Sequence, residues 1–108
     1  MKSLITNDFI AFARNRFRLD WSGIHGAPHW SRVRHNGLLL AEHYNVDNAV
    51  IQWFAFLHDL ERHDDWTDPL HGHRAATLAA EINADFMGLS GTQLGLLQAA
   101  CRGHSSGQ

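Results

Sequence analysis

The segment NAVIQWFAFLHDL at residues 48–60 constrains the fold more than any other part of the chain. Apolar residues point in nearly every direction around a helix drawn through it, so no side of that helix suits water. Such a helix is stable only when other elements surround it. Yet its end carries His58 and Asp59, and the charged run ERHDD follows closely. A carboxylate or imidazole buried without a partner costs several kcal/mol. The segment therefore demands partners for two polar groups at the end of the most buried element.

The surrounding elements read as helices too. No stretch alternates with period two, and no Asn-Gly or Asp-Gly turn joins strand-like runs. A first helix begins at Thr6 or Asn7, either of which can cap it, with Phe9, Ile10, Ala13 and Phe17 at helical spacing. The Gly-containing connection LDWSGIHGAPH leads to a second helix with Pro28 in its first turn. It runs to about Tyr44 and carries Val33, Gly37, Leu40 and Tyr44 on one stripe. Asp47 is the expected N-cap of the buried third helix. ERHDDWTDP is a polar loop, and Pro69 opens a fourth helix through about Asn83. Ser90 and Gln93 form the Ser-x-x-Gln capping pattern of a fifth, ending near Gly103. At 108 residues there is room for one domain. The sequence thus predicts an all-α fold, a single bundle of about five helices over residues 1–108.

Composition narrows the class. The chain is 44% hydrophobic and 19% charged with a formal net charge of −2, ordinary for a globular protein and without a basic stripe for nucleic acid. The single cysteine, Cys101, excludes an internal disulfide and suits a reducing compartment. No apolar run reaches membrane-span length, and Asn7, Asp8, Arg14 and Arg16 interrupt the N-terminal segment as a signal peptide. These features point to the cytoplasm.

Histidine is the exception, with nine residues spread along the chain. His29 precedes Val33 by one helical turn. His71 shares a face with Ala75, Leu78 and Ile82, and His104 continues the series Leu94, Leu97, Cys101. With His58 and Asp59, four helices each deliver an imidazole toward the core. Neutral imidazole and carboxylate together suit Zn, Mn, Fe and related ions, and a cation makes a buried Asp59 tolerable. The expected ligands are His29, His58, Asp59, His71 and His104, with His73 competing for the place of His71. The alternative is a set of core histidines satisfied by one another, by backbone and by water. His35 and His43 are expected to face solvent, and His25 to serve a turn. His63 suits either the site or solvent. Trp30, Trp53 and Trp66 read as packing residues.

Helical chains with His29 in HWSRV and His58-Asp59 in FLHDL resemble the HD-domain superfamily of metal-dependent phosphohydrolases. The string HDLERHDDWTDPLHGHRAA is similar to a small bacterial subgroup, with Arg and Asp after the HD pair, then Asp-Pro and His-Gly-x-Arg-Ala-Ala. The likeness spans about residues 25–106 and includes the RGHSSG segment. It implies an HD-like bundle holding one or two divalent ions (Mn, Mg, Zn, Fe, Co or Ni). In it His29, His58 and Asp59 hold one ion, and His71 and His104 match the places that hold a second. It also implies a final aspartate beyond His104. No Asp or Glu follows Asp85 here, so residues 1–108 are expected to be the N-terminal part of a longer chain, or a member lacking one ligand.

The implied activity is hydrolysis of a small phosphate ester, with a nucleotide as one option. Asp59 would orient or deprotonate water, and Arg62 and Arg74 would clamp phosphate in two-pronged fashion. The plainer readings are a salt bridge from Arg62 to Asp65 or Asp68 and a solvated Arg74. Asp65 and Asp68 are also candidates to orient the ligating histidines. A non-catalytic module that binds a ligand or partner is the alternative function. An apolar edge left by a shortened chain would favour association into a homo-oligomer.

Overall fold

A computed structural model describes residues 4–44 and 47–105. Among these, the chain forms five α-helices and no strand: α1 (Asn7–Arg16), α2 (Ala27–Tyr44), α3 (Asn48–Leu57), α4 (His71–Ile82) and α5 (Gly91–Ser105). The radius of gyration is 12.9 Å, which matches the roughly 13 Å of one compact body of this length.

The caps fall where the side chains predict them. The Thr6 hydroxyl accepts from Phe9 N at 3.2 Å and starts α1. Ser90 and Gln93 bond reciprocally at 3.0 and 3.2 Å and start α5. Asp47 accepts from Ala49 N at 2.9 Å and Val50 N at 3.2 Å, and also from the Gln93 side chain at 2.9 Å. One carboxylate thereby satisfies the start of α3 and ties it to the start of α5. These bonds, that from Gln93 foremost, hold the Asp47 carboxyl below its ordinary value of 3.8 against a small effect of burial.

Helix α3 is the centre of the bundle, packed against α2 and α5, while α4 packs on α5. Val50, Trp53, Ala55, Phe56 and Leu57 are buried on it. Trp53 meets Phe9 of α1 edge-on at 5.0 Å, and Trp30 of α2 meets Phe17 and Trp21 at 5.2 Å. Such edge-to-face pairs are worth about 1 kcal/mol each beyond area burial. Ala75, Ala76 and Ala79 present a small buried face on α4. That face lets α5 approach closely enough for Gln98 Nε2 to reach the Ala76 carbonyl at 3.0 Å.

Several boundaries and faces differ from the sequence expectation. α3 stops at Leu57 and does not run through Leu60; Leu60 N and Arg62 N bond three residues back, to Leu57 O and Asp59 O. This tighter turn presents His58 and Asp59 in succession inside the bundle. α4 continues into a π-helical turn, Asn83–Met87, closed by Gly88 at φ 62°. The wider turn places Phe86 against Phe9 and Phe12 at 5.8 and 5.1 Å. α5 extends past Gly103 to Ser105, keeping His104 on the helix. Trp66 is 85% exposed and packs no core, since it sits on the polar loop between α3 and α4. Leu40 and Tyr44 are exposed as well, because the stripe of α2 outruns the helices available to cover it.

Two measurements check this packing. Asp47→Ala is expected to cost about 1 kcal/mol in urea unfolding at neutral pH. Because its folded-state pKa is lowered, that difference is complete above pH 3.8 and closes as the pH falls through the lowered value. Burial pushes the Cys101 thiol up to about 12. Native protein at pH 8 should therefore resist thiol reagents that label the unfolded chain within minutes.

Candidate metal centre

Asp59 is 1% exposed, and both of its carboxylate oxygens face imidazoles. His29 Nε2 lies 3.4 Å and His58 Nε2 3.3 Å from Oδ2. His71 Nε2 lies 3.3 Å and His104 Nε2 3.4 Å from Oδ1. The two groups, His29–His58–Asp59 and Asp59–His71–His104, could each hold a metal ion and share the aspartate. Four elements contribute: α2 supplies His29, the turn after α3 supplies His58 and Asp59, α4 starts with His71, and α5 supplies His104.

The tautomer of His58 follows from the partners behind its ring. His58 Nδ1 lies 3.0 Å from Phe54 O and 2.9 Å from Ala55 O. Both are acceptors, so Nδ1 carries the proton and neutral His58 presents a bare Nε2 to the site. His71 Nδ1 lies against the Asp68 carbonyl, and Arg62 Nη1 sits beside both of its ring nitrogens, 3.1 Å from Nδ1 and 3.3 Å from Nε2. Backbone carbonyls behind ligating imidazoles are the usual device for aiming the other nitrogen at a metal.

This creates a problem that a cation resolves. The bare nitrogen of His58 faces a carboxylate that only accepts, with 3.3 Å between acceptor atoms. That contact repels until a positive charge enters, as an added proton or as a metal ion. The dimensions suit an ion. His29 Nε2, His58 Nε2 and Asp59 Oδ2 form a near-equilateral triangle with edges of 3.2, 3.4 and 3.3 Å. Adjacent ligands of one ion at 2.0–2.1 Å are separated by about 3.0–3.4 Å.

Electrostatics keep the donors in the required forms. Burial alone would push the Asp59 carboxyl up. Hydrogen bonds from the imidazoles of His104, His58 and His71, when these carry a proton on Nε2, outweigh it and hold the carboxyl well below the usual carboxylate range. His29 is shifted below 6.5 by burial and by the neighbouring His58, against the attraction of Asp59. The shift of His29 favours its neutral imidazole, the form that binds metal.

A second layer of contacts fixes the ligands. Asp68 uses its carbonyl for His71 and its carboxylate for Arg74, at 2.6 Å to each oxygen, and for His63 N at 2.5 Å. Arg74 Nε also reaches Glu61 O at 3.0 Å, and Glu61 pairs with Arg16. The loop between α3 and α4 is thus pinned at both ends. His25 Nδ1 lies 2.9 Å from Asp65, with its ring beside that of His29 at 6.3 Å, and its carbonyl accepts from the Trp30 indole at 2.8 Å.

Of the competing readings, His71 is buried and touches Asp59, whereas His73 is exposed on the outer side of α4. His35, His43 and His63 are exposed. Arg74 is not a solvated surface group; Asp68 holds it. Arg62 pairs with neither Asp65 nor Asp68. It is 8% exposed behind His71, its Nη1 3.1 and 3.3 Å from the two ring nitrogens, and its Nε has no partner among the described residues. Sequence reasoning missed the pairing of His25 with Asp65, because the contact joins two loops 40 residues apart and no periodicity relates them.

Metal affinity should fall steeply with acid, since ligating imidazoles must lose their protons. Each ligating imidazole that must shed a proton adds to the loss, so affinity at pH 5.5 should be well below that at pH 7.5. Calorimetric titration with Zn or Mn across that range tests it. The shift of His29 places its own share of the loss at the lower end.

No family model, curated protein or solved structure gives a significant match to this chain, so the reading of the centre rests on its own geometry.

Proposed function

We propose that this chain carries the metal centre of an HD-type phosphohydrolase acting on a small phosphate ester, with nucleotides among the candidates. The triangle of His29, His58 and Asp59, with edges of 3.2–3.4 Å, is the observation that carries the reading. His29, His58 and Asp59 would hold one divalent ion, and Asp59, His71 and His104 a second. The imidazole-rich donor set favours Zn, Mn, Fe, Co or Ni over Mg. When bound, such an ion supplies positive charge that polarises a phosphoryl oxygen and acidifies water.

In the hydrolysis, a water oxygen bonds to phosphorus and the bond to the ester oxygen breaks. A proton passes to the leaving alkoxide, giving an alcohol and inorganic phosphate. Asp59 belongs to both candidate ligand groups, so it would be committed to holding the ions. Its part is to fix the site and orient water. The side chains of His29 and His104, 31% and 36% exposed, mark the open side from which substrate enters. Arg62, touching His71, holds that ring and adds positive charge close to the centre.

One observation favours the alternative, a non-catalytic ligand-binding module. Arg74 is committed to Asp68 and Glu61, and Arg62 lies buried behind His71, which leaves neither guanidinium at the open side as a phosphate clamp.

Untagged protein should retain one or two ions per chain, and Asp59→Ala and His58→Ala should lose them. Metal at a hundredfold above its Kd stabilises the wild type by about 2.7 kcal/mol, raising Tm by roughly 10 °C or more, with no such rise in Asp59→Ala. A screen of phosphate esters then separates the readings: release of phosphate supports hydrolysis, and binding without release supports the module. A wild type that retains no metal and keeps full stability in chelator overturns both.

A further inference from the structure

An open groove of about 950 Å³ runs along α3 between α2 and α5 and ends at His104. Its floor is Val50, Ile51 and Phe54 of α3. Small residues on the α5 side, Ala100 and Gly103, keep it open, while Gly37 lets α2 close onto Ile51. A side chain begun at Gly103 would meet nothing within 4 Å. Leu40 and Leu96 stand on opposite walls, 58% and 54% exposed, which is costly for large apolar groups unless something covers them.

The groove is continuous with the metal centre. Phe54, part of its floor, stacks on His58 with ring centres 5.0 Å apart and meets His104 edge-on at 6.0 Å. His104 belongs to both, lining the groove and lying 3.4 Å from Asp59. Among the described residues the ionisable groups in the lining besides His104 are Tyr44 and Asp47, and the Asp47 carboxylate is already bonded to Ala49, Val50 and Gln93. A mostly apolar trough therefore opens at one end onto a candidate site for cations.

Resting on the phosphoester reading above, we infer that the groove holds the apolar body of the substrate: a phosphate monoester of an apolar alcohol, its head at Asp59 and its alkyl or aryl portion along α3. Charge complementarity carries this. The anionic head matches the candidate cation site, and the apolar body matches the mostly apolar trough. The volume lies within the range of small-molecule sites. A second copy of the chain fits less well, because two identical concave faces placed together leave both hollows unfilled.

The test is calorimetric binding of n-alkylphosphonates from ethyl to octyl to the metal-loaded chain, with n-alkyl alcohols of the same lengths in parallel. Phosphonates are the probe because their carbon–phosphorus bond survives hydrolysis. Phosphonate affinity should rise about fourfold per methylene and exceed that of the matching alcohol at every length. Ala100→Phe, at an exposed position where the new ring meets only the groove, should flatten the series, as should Leu96→Asp. Thermal melts verify that both variants fold. A flat series in the wild type overturns the groove assignment while leaving the metal centre and its phosphate chemistry standing. A rising series that is identical for alcohols and phosphonates overturns the joining of groove to phosphate, and the phosphoester reading with it. Self-association that Ala100→Phe abolishes, with no chain-length dependence, overturns the inference in favour of a second copy.

Discussion

A single carboxylate kept ionised in the core is the constraint around which the rest of this molecule is arranged. Asp59 is almost fully buried, and such a charge is tolerated only with compensation from every side. Four imidazoles provide contacts to its two oxygens, and they come from α2, the turn after α3, α4 and α5. The bundle cannot rearrange any of these helices without exposing or orphaning that charge. Helix packing and the polar centre are one problem with one solution.

The compensation is aimed as well as assembled. His58 spends its Nδ1 proton on backbone carbonyls and turns an unprotonated nitrogen toward the aspartate. A histidine serving only to neutralise Asp59 would point a proton at it. The loop between α3 and α4 is held for the same end, with Arg74, Asp68 and Glu61 fixing the backbone that positions His71. Beside this rigid centre lies a trough floored by α3 and left open by Ala100 and Gly103. A stiff charged site and an open apolar groove meeting at one histidine is the arrangement expected where a ligand has two chemically different ends.

Much of the fold was legible in local chemistry. Caps at Thr6, Asp47 and Ser90 were readable because each bonds to backbone within three residues of itself. Burial of α3 was readable because apolar groups surround it completely. What failed depended on neighbours. Trp66 is large and apolar but lies on a loop that no helix covers. Leu40 and Tyr44 continue the stripe of α2 beyond the point where another element meets it. The early end of α3 and the π-turn after Ile82 come from packing of the His58-Asp59 turn and of Phe86, for which helical periodicity has no signal.

The metal donors divide along the same line. Sequence alone placed His29, His58 and His104 on inward faces with Asp59 beside them, and one of His71 and His73 with them, because the 3.6-residue period assigns each position a side of its helix. It did not determine that these sides converge on one carboxylate, that His71 and not His73 turns inward, or that Arg74 is spent on Asp68. Those outcomes depend on how helices far apart in sequence cross and on where intervening loops are pinned, and only the tertiary structure decides distances between groups that no local periodicity connects.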